Sequence, residues 1–341
     1  MRNRQVVLRQ RPVDRLDVSH FAVVDGAIGR PGEGEVLVRT VLLSIDPANR
    51  AWMQGRTYRD RLEDGQVMEG FVLGEVIDAN GTDIAAGTIV ECQGKWQEFA
   101  VLPRALVRPI EVLGPLEQHL GLLGINGVTA YFGLYRVGCV AAGETVVVSA
   151  AAGATGHLVG QLAKLRGARV VGIAGSEAKN AVLVEKLGFD AAVDHHRDDL
   201  LASLRAACPN GVDVYFDNVG GPVLDTALRV MNPHGRIVCC GVVSQYDTSS
   251  PAPGPRGVPG LLITKRLRME GFLAPDFLDE WPEATRKLAD LADSGEIVGL
   301  VTMTDGLESA PEALVGLLAG KNVGKAVVRV APDPVRRSPE P

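Results

Sequence analysis

The chain has 341 residues, 46% of them apolar and 22% charged, with a formal net charge of −6; that length predicts two domains. The acidic balance and the absence of a basic cluster argue against a nucleic-acid partner. The opening MRNRQVVLRQRPVD lacks an apolar core, and no apolar run reaches membrane-span length, which excludes a membrane partner. The five cysteines are odd in number and irregular in spacing, so they read as reduced thiols of a cytoplasmic protein.

The first stretch of chain is β-rich. EVLVRTVLLSID (35–46), FVLGEVIDA (71–79), GTIVECQG (87–94) and QEFAVLP (97–103) are short β-prone runs separated by Gly, Pro or Asp. They predict a partly closed antiparallel barrel. GLLGINGVTAYFGLYRVG (121–138) is helical in tone and leads to a buried strand at Thr145–Val148. A turn of small residues, Ala150 to Gly156, follows, and then an amphipathic helix with Leu158, Leu162 and Leu165 on one face. The next apolar run, Ala168–Ala174, completes a βαβ unit. Regular alternation continues: a helix carrying Ala181, Leu183, Val184 and Leu187, then AAVDH (191–195), a polar helix, VDVYFDNVGG (212–221), a helix at 223–231 and GRIVCCGVVS (235–244). The Pro- and Ser-rich loop 246–259 is long enough to read as a functional flap. After it come LRMEGFLA (267–274), a helix over 281–294, and KNVGKAVVRV (321–330), a strand able to return to the first domain.

The turn reads A-x-G-x-x-G, with Ala151, Gly153 and Gly156 in the places of the dinucleotide fingerprint G-x-G-x-x-G/A. Small residues there let backbone N–H groups at a helix start approach a diphosphate. Plain helix–strand packing is the simpler alternative for such a turn. The second strand ends in Gly175-Ser176, and Lys179 lies one turn on; Glu177 argues the other way but falls past the strand end, where it can point outward. A hydroxyl and an ammonium suit a 2′-phosphate rather than a free 2′-hydroxyl, although an ordinary exposed lysine would look the same.

SIDPANR (44–50), GVTAYFGL (127–134), AAAGATG (150–156), LGFD (187–190), YFDNVGG (215–221), GRIVCCGVVSQY (235–246), LRMEGF (267–272) and GKNVGKAVV (320–328) occur in this order. On these residues the chain resembles the zinc-independent medium-chain dehydrogenases/reductases. The branch it is most similar to holds the prostaglandin reductases, alkenal double-bond reductases and curcumin reductases. The resemblance implies an α/β chain with a GroES-like β-rich catalytic domain at 1–122 and 299–341. It places a Rossmann NADP-binding domain, a doubly wound parallel sheet, at 123–298. It implies NADPH-dependent reduction of the carbon–carbon double bond of an α,β-unsaturated ketone or aldehyde, a small-molecule enone or enal partner, and no metal. Quinone reduction, or cofactor binding with little catalysis, are the alternatives.

Carried over residue by residue, the resemblance puts cofactor contacts at Ala151, Gly153, Ala154, Thr155, Gly156, Ser176 and Lys179. It adds Gly241, Val242, Ser244, Tyr246, Phe272, Leu273, Ala274 and Asn322. Asn218, following a strand at the carboxyl edge of the sheet, either bonds the cofactor's ribose or nicotinamide or simply forms the turn before Gly220-Gly221. His195 stands where the family commonly has a tyrosine near the phosphate; a histidine can donate there, more strongly when protonated. Thr129 and Tyr131 either flank the nicotinamide or pack a helix between the domains. The catalytic Cys/His spacing of zinc relatives is missing, and Met68-Glu69-Gly70 stands where they have Gly-His-Glu. Enolate stabilisation and protonation need a donor. Thr264 occupies a position that often carries a tyrosine, and the resemblance to curcumin reductases implies Tyr58, with Tyr246 as the alternative and an ordinary surface-loop tyrosine as the plain reading of Tyr58. Trp52, Met53 and Tyr58 are expected to wall the substrate pocket. Arg50, Arg56, Arg59 and Arg61 lie near its mouth, as a solvated charge run or as a preference for anionic enones. LRMEGFLA as a last, unpaired strand implies a homodimer.

Overall fold

The computed structural model describes residues 2–55, 60–196 and 199–335. Its centre is a six-stranded sheet whose strands, numbered along the sheet's own sequence, run in the order 3-2-1-4-5-6. They are Thr145–Ser149, Arg169–Ala174, Ala191–Asp194, Val212–Asp217, Met231–Cys239 and Arg268–Gly271, and every pairing is parallel. This is the doubly wound dinucleotide order, with its switch point between the first and fourth strands. The reason lies in the strands' unbroken apolar runs. Val146 and Val148 face a core shared with Leu158, Leu162 and Phe216. Val147 faces the opposite core, with Val171, Leu204, Tyr215 and Leu228. A strand buried on both faces needs helices above and below, which is what βαβ crossovers supply.

The second sheet has seven strands and is organised around Glu35–Ile45. That strand pairs antiparallel with Val72–Asp78, Phe99–Pro103 and the returning Lys325–Arg329. The sheet is mixed rather than wholly antiparallel, because Val301–Asp305 runs parallel to Lys325–Arg329. An αβ excursion through the helix Ala310–Leu318 separates those two strands and sets their direction.

Three local expectations need correction. Leu165 is 41% exposed, because the helix Gly156–Leu165 ends there and its buried face stops at Leu162 and Ala163. Val184 is also 41% exposed: the helix Glu177–Ala181 continues as a wider π-helical turn, Val182–Lys186, which turns Leu183 rather than Val184 into the core. The long loop ends earlier than expected, in a helix Val258–Lys265 with Pro259 in its first turn.

Candidate active site

The carboxyl ends of the first and fourth strands meet at the switch point. Ser149 and Asp217 are both buried there, and Ser149 Oγ donates to Asp217 Oδ1 at 3.2 Å. The same carboxylate oxygen accepts from Tyr215 Oη, Val219 N and Gly220 N at 2.9–3.0 Å. Burial pushes the Asp217 carboxyl up, against the pull of those amides. Asp217 therefore acts as the template of the 218–221 loop, a role the sequence reading missed. A carboxylate at the end of a buried strand, three residues before a Gly-Gly pair, was its only signal. Asn218 is fixed by Ser149: its N donates to Ser149 Oγ at 2.9 Å, and its Nδ2 donates to Ser149 O at 2.8 Å.

The glycine turn is built tightly. Ala150 has φ +46°, and Gly153 N donates to Ala150 O at 2.9 Å. A Cβ on Gly156 would fall 2.4 Å from Ala150 O, so only glycine lets the helix start this close to the strand. Thr155 caps that helix without a side-chain bond to its N–H groups. Asn126 Nδ2 reaches Thr155 Oγ1 at 3.2 Å, while its buried Oδ1 has no partner among the described residues. Helix His157, also missed, has both ring nitrogens engaged: Nδ1 bonds Gly153 O at 2.7 Å and Nε2 accepts from Leu300 N at 3.0 Å. Those partners require the neutral Nδ1–H tautomer, and burial lowers its pKa to about 4. The turn is also clamped from the other sheet's side, since Gly324 N donates to Ala152 O at 2.8 Å.

At the end of the second strand Ser176 caps the next helix, accepting from Lys179 N. Lys179 Nζ donates to Gly320 O at 2.6 Å, and burial lowers its pKa. Asn322, in the same loop as Gly320, donates from Nδ2 to Gly324 O at 2.8 Å. His195 Nδ1 bonds Ala174 O at 2.7 Å. A neutral ring so bonded leaves Nε2 as an acceptor, and only the imidazolium can donate to a phosphate. Ser176, Lys179 and His195 are thus gathered at one strand end. Glu177 is exposed in the first turn of the helix beyond it. This donor set, with the glycine cradle beside it, fits a dinucleotide carrying a 2′-phosphate.

The segment 240–246 follows the fifth strand. Gly241 N bonds Asp217 O, Val243 N bonds Asn218 O, and Ser244 N and Oγ both bond Val219 O. The structure thus brings Asn218, Gly241, Val242, Ser244 and Tyr246 into one connected loop pair. Phe272 packs edge-on to Phe277, 6.4 Å between centroids, and a Cβ on Gly133 would strike it. Ala274 is buried, whereas Leu273 is 59% exposed.

Tyr131 packs edge-on against Phe132 and Tyr135, which favours the packing alternative for that residue. Trp52 and Met53 are each only 2% exposed. Met53 belongs to the core of the seven-stranded sheet, so both expected wall residues are buried rather than openly exposed. Arg50 is no solvated charge either, being 1% exposed. Arg61 pairs with Glu63. Tyr58, Arg56 and Arg59 lie outside the described residues. Thr264 Oγ1 donates back to Gly260 O at 2.8 Å.

Met68 is fully buried and Glu69 is ion-paired with Lys95 at 2.9 Å. Among the described residues no group of three or more His, Cys, Asp or Glu side chains is arranged to hold a metal ion.

Two family models match: the N-terminal domain of oxidoreductases over residues 4–110, and the zinc-binding dehydrogenase domain over 154–290. The NADPH-dependent curcumin reductase of Escherichia coli is 41% identical, over 97% of this chain and 98% of its own length. The chain belongs to the medium-chain dehydrogenase/reductase family. Within it, it falls in the branch of the curcumin, alkenal and prostaglandin reductases. The NADP⁺-dependent 2-alkenal reductase of tobacco is 39% identical over 88% of both chains. The crystal structure of CurA from Vibrio vulnificus in complex with NADPH superposes with a TM-score of 0.92 at 37% identity, covering 97% of this chain and all of that one.

Proposed function

We propose that this protein reduces the carbon–carbon double bond of α,β-unsaturated ketones and aldehydes with NADPH, without a metal. The observation that carries the reading is the strand end at Ser176 and Lys179, which sets two phosphate-compatible groups beside an intact glycine turn in a chain of this branch. NADPH, when bound, supplies a hydride to the substrate's β-carbon. The chain's own tasks are to grip the diphosphate at the turn and the 2′-phosphate at Ser176, Lys179 and His195. It must also steady the enolate oxygen and deliver a proton to the α-carbon. Tyr58 is assigned the proton and oxyanion role, with Tyr246 as the second candidate. The nicotinamide end is assigned to Asn218, Gly241, Val242, Ser244, Tyr246, Phe272, Leu273 and Ala274, and Asn322 to the phosphates.

The catalytic domain comprises 1–122 and 299–341 and the cofactor domain 123–298 in this proposal. The crossing points at Leu300 and Gly324, both bonded to the glycine-turn region, support it. A cytoplasmic homodimer completes the reading. Among the described residues no helix is long and apolar enough to cross a membrane. The deciding experiment follows NADPH oxidation with 3-nonen-2-one, with benzoquinone, and with NADH in place of NADPH, before and after dialysis against EDTA. Fast enone turnover with NADPH that survives EDTA is expected. Preference for the quinone, or loss of activity restored by zinc, would reverse the assignment.

A further inference from the structure

One buried arginine fastens the two sheets' loops together. Arg50 lies on the helix Pro47–Gln54 and is 1% exposed. Its Nε donates to Asp247 Oδ1 at 2.9 Å and its Nη2 to Asp14 O at 2.6 Å. Asp247 Oδ1 also accepts from Leu16 N at 2.6 Å. Ser249 donates from N and Oγ to Asp14 Oδ1 at 2.9 and 3.2 Å, and Gln54 Nε2 reaches Thr248 O at 3.4 Å. Residues 14–16, the helix, and residues 247–249 thereby share one polar junction. Residues 14–16 join the strands Arg2–Leu8 and Phe21–Ala27, a two-stranded sheet, with Leu16 in the mixed sheet's core; the helix follows that sheet's strand Glu35–Ile45, and 247–249 continue from the fifth strand of the parallel sheet.

This junction is an expensive way to fill space. Asp247 sits at φ +54°, a left-handed backbone conformation, and among the described residues the buried Arg50 Nη1 finds no hydrogen-bond partner. Apolar side chains in place of a buried ion pair are often as stable or more so, which directs attention from stability to placement. What the junction places is the residue before it. Tyr246 N bonds Val243 O, and Val243 N and Ser244 N are held by Asn218 O and Val219 O. Tyr246 is therefore anchored on one side by the crevice loop and on the other by Arg50.

We propose that Arg50 and Asp247 form a latch across the two lobes that positions Tyr246 and the start of the 246–257 segment over the substrate end of the cleft. Both are positioning residues, and neither touches substrate. The kinetic part of the proposal rests on the enone-reductase reading; the latch itself does not.

The test compares wild type with Arg50→Lys, Arg50→Met, Asp247→Asn and the apolar double variant Arg50→Met/Asp247→Leu. Hydrogen exchange of peptides covering 240–257 reads the latch, and steady-state kinetics with 3-nonen-2-one and NADPH read the positioning. Exchange at 246–250 is expected to quicken about tenfold in Arg50→Met and in the double variant. The KM for the enone should rise about tenfold with a smaller change in kcat, and Arg50→Lys should recover part of it. The double variant is expected to melt at or near the wild-type temperature, separating placement from folding. Unchanged exchange would overturn the latch. Faster exchange with an unaltered KM would overturn its positioning role. A wild type that reduces no enone would overturn the activity reading, and the exchange data alone would then decide the latch.

Discussion

Lys179 is half-buried against Gly320 O, so its ammonium is held at the end of the second strand rather than swinging in solvent. That geometry gives Lys179→Ala a definite expected outcome: NADPH affinity falls about tenfold or more, the loss of one charge-assisted bond, while NADH affinity stays within a factor of about two. Titration calorimetry with both nucleotides measures it, and equal losses for the two would remove Lys179 from phosphate recognition. His195→Ala should act in the same direction with a smaller effect, because its ring must carry a second proton to donate. His157 makes a prediction about stability instead. Its folded pKa of about 4 lies below the ordinary 6.5, so the native state binds fewer protons than the unfolded chain between those values. Its stabilising contribution is complete above pH 6.5 and is lost as pH falls towards about 4, in total roughly 3 kcal/mol. Urea unfolding at pH 7 and pH 4.5 should show a steeper loss for wild type than for His157→Gln. Parallel loss in the two would contradict the buried, neutral ring.

At the scale of single elements, the strand–turn–helix at 145–165 joins local sequence to packing most directly. Gly156→Ala pushes a methyl onto backbone atoms, 2.4 Å from Ala150 O and 2.9 Å from Ala151 Cα, where nothing flexible can yield. A cost of about 1–3 kcal/mol is expected, with NADPH binding lost in step. A Cβ on Gly153 meets only Ala150 O at 3.1 Å, so Gly153→Ala should keep most stability and lose cofactor affinity selectively. Thermal melts paired with calorimetry distinguish the two, and a fully stable Gly156→Ala would refute the close-approach argument. The π-helical turn at Val182–Lys186 shows the limit of periodicity. One extra residue per turn rotates the apolar face, and nothing in the local pattern of Val182, Leu183 and Val184 announces it.

For the whole molecule, the open question of surface is the far edge of the parallel sheet. Among the described residues Arg268–Gly271 pairs on one side only. The neighbouring helix Val258–Lys265 buries none of its residues, and Ile263, Leu273 and Leu278 are 75%, 59% and 61% exposed. An apolar helix beside a strand edge is what a second copy would cover. Light scattering is expected to give a dimer, and Ile263→Glu a monomer or a weakened dimer. A monomeric wild type at tens of micromolar would dispose of that expectation.

Sequence by itself determined the alternation of strands and helices, the dinucleotide turn, the serine–lysine strand end and the family, because each is written in contiguous residues or short fixed spacings. Its buried strands were legible for the same reason: Val146 to Val148 must be covered on both faces whatever lies far away. Tertiary structure alone decided which polar groups became buried partners. Arg50 meets Asp247 across 197 positions, Lys325 meets Asp46 across 279, and His157 meets Leu300 across 143. An arginine, a lysine and a histidine look like surface residues in a linear pattern. Only chain folding takes them out of water and gives each the partner that makes its burial tolerable.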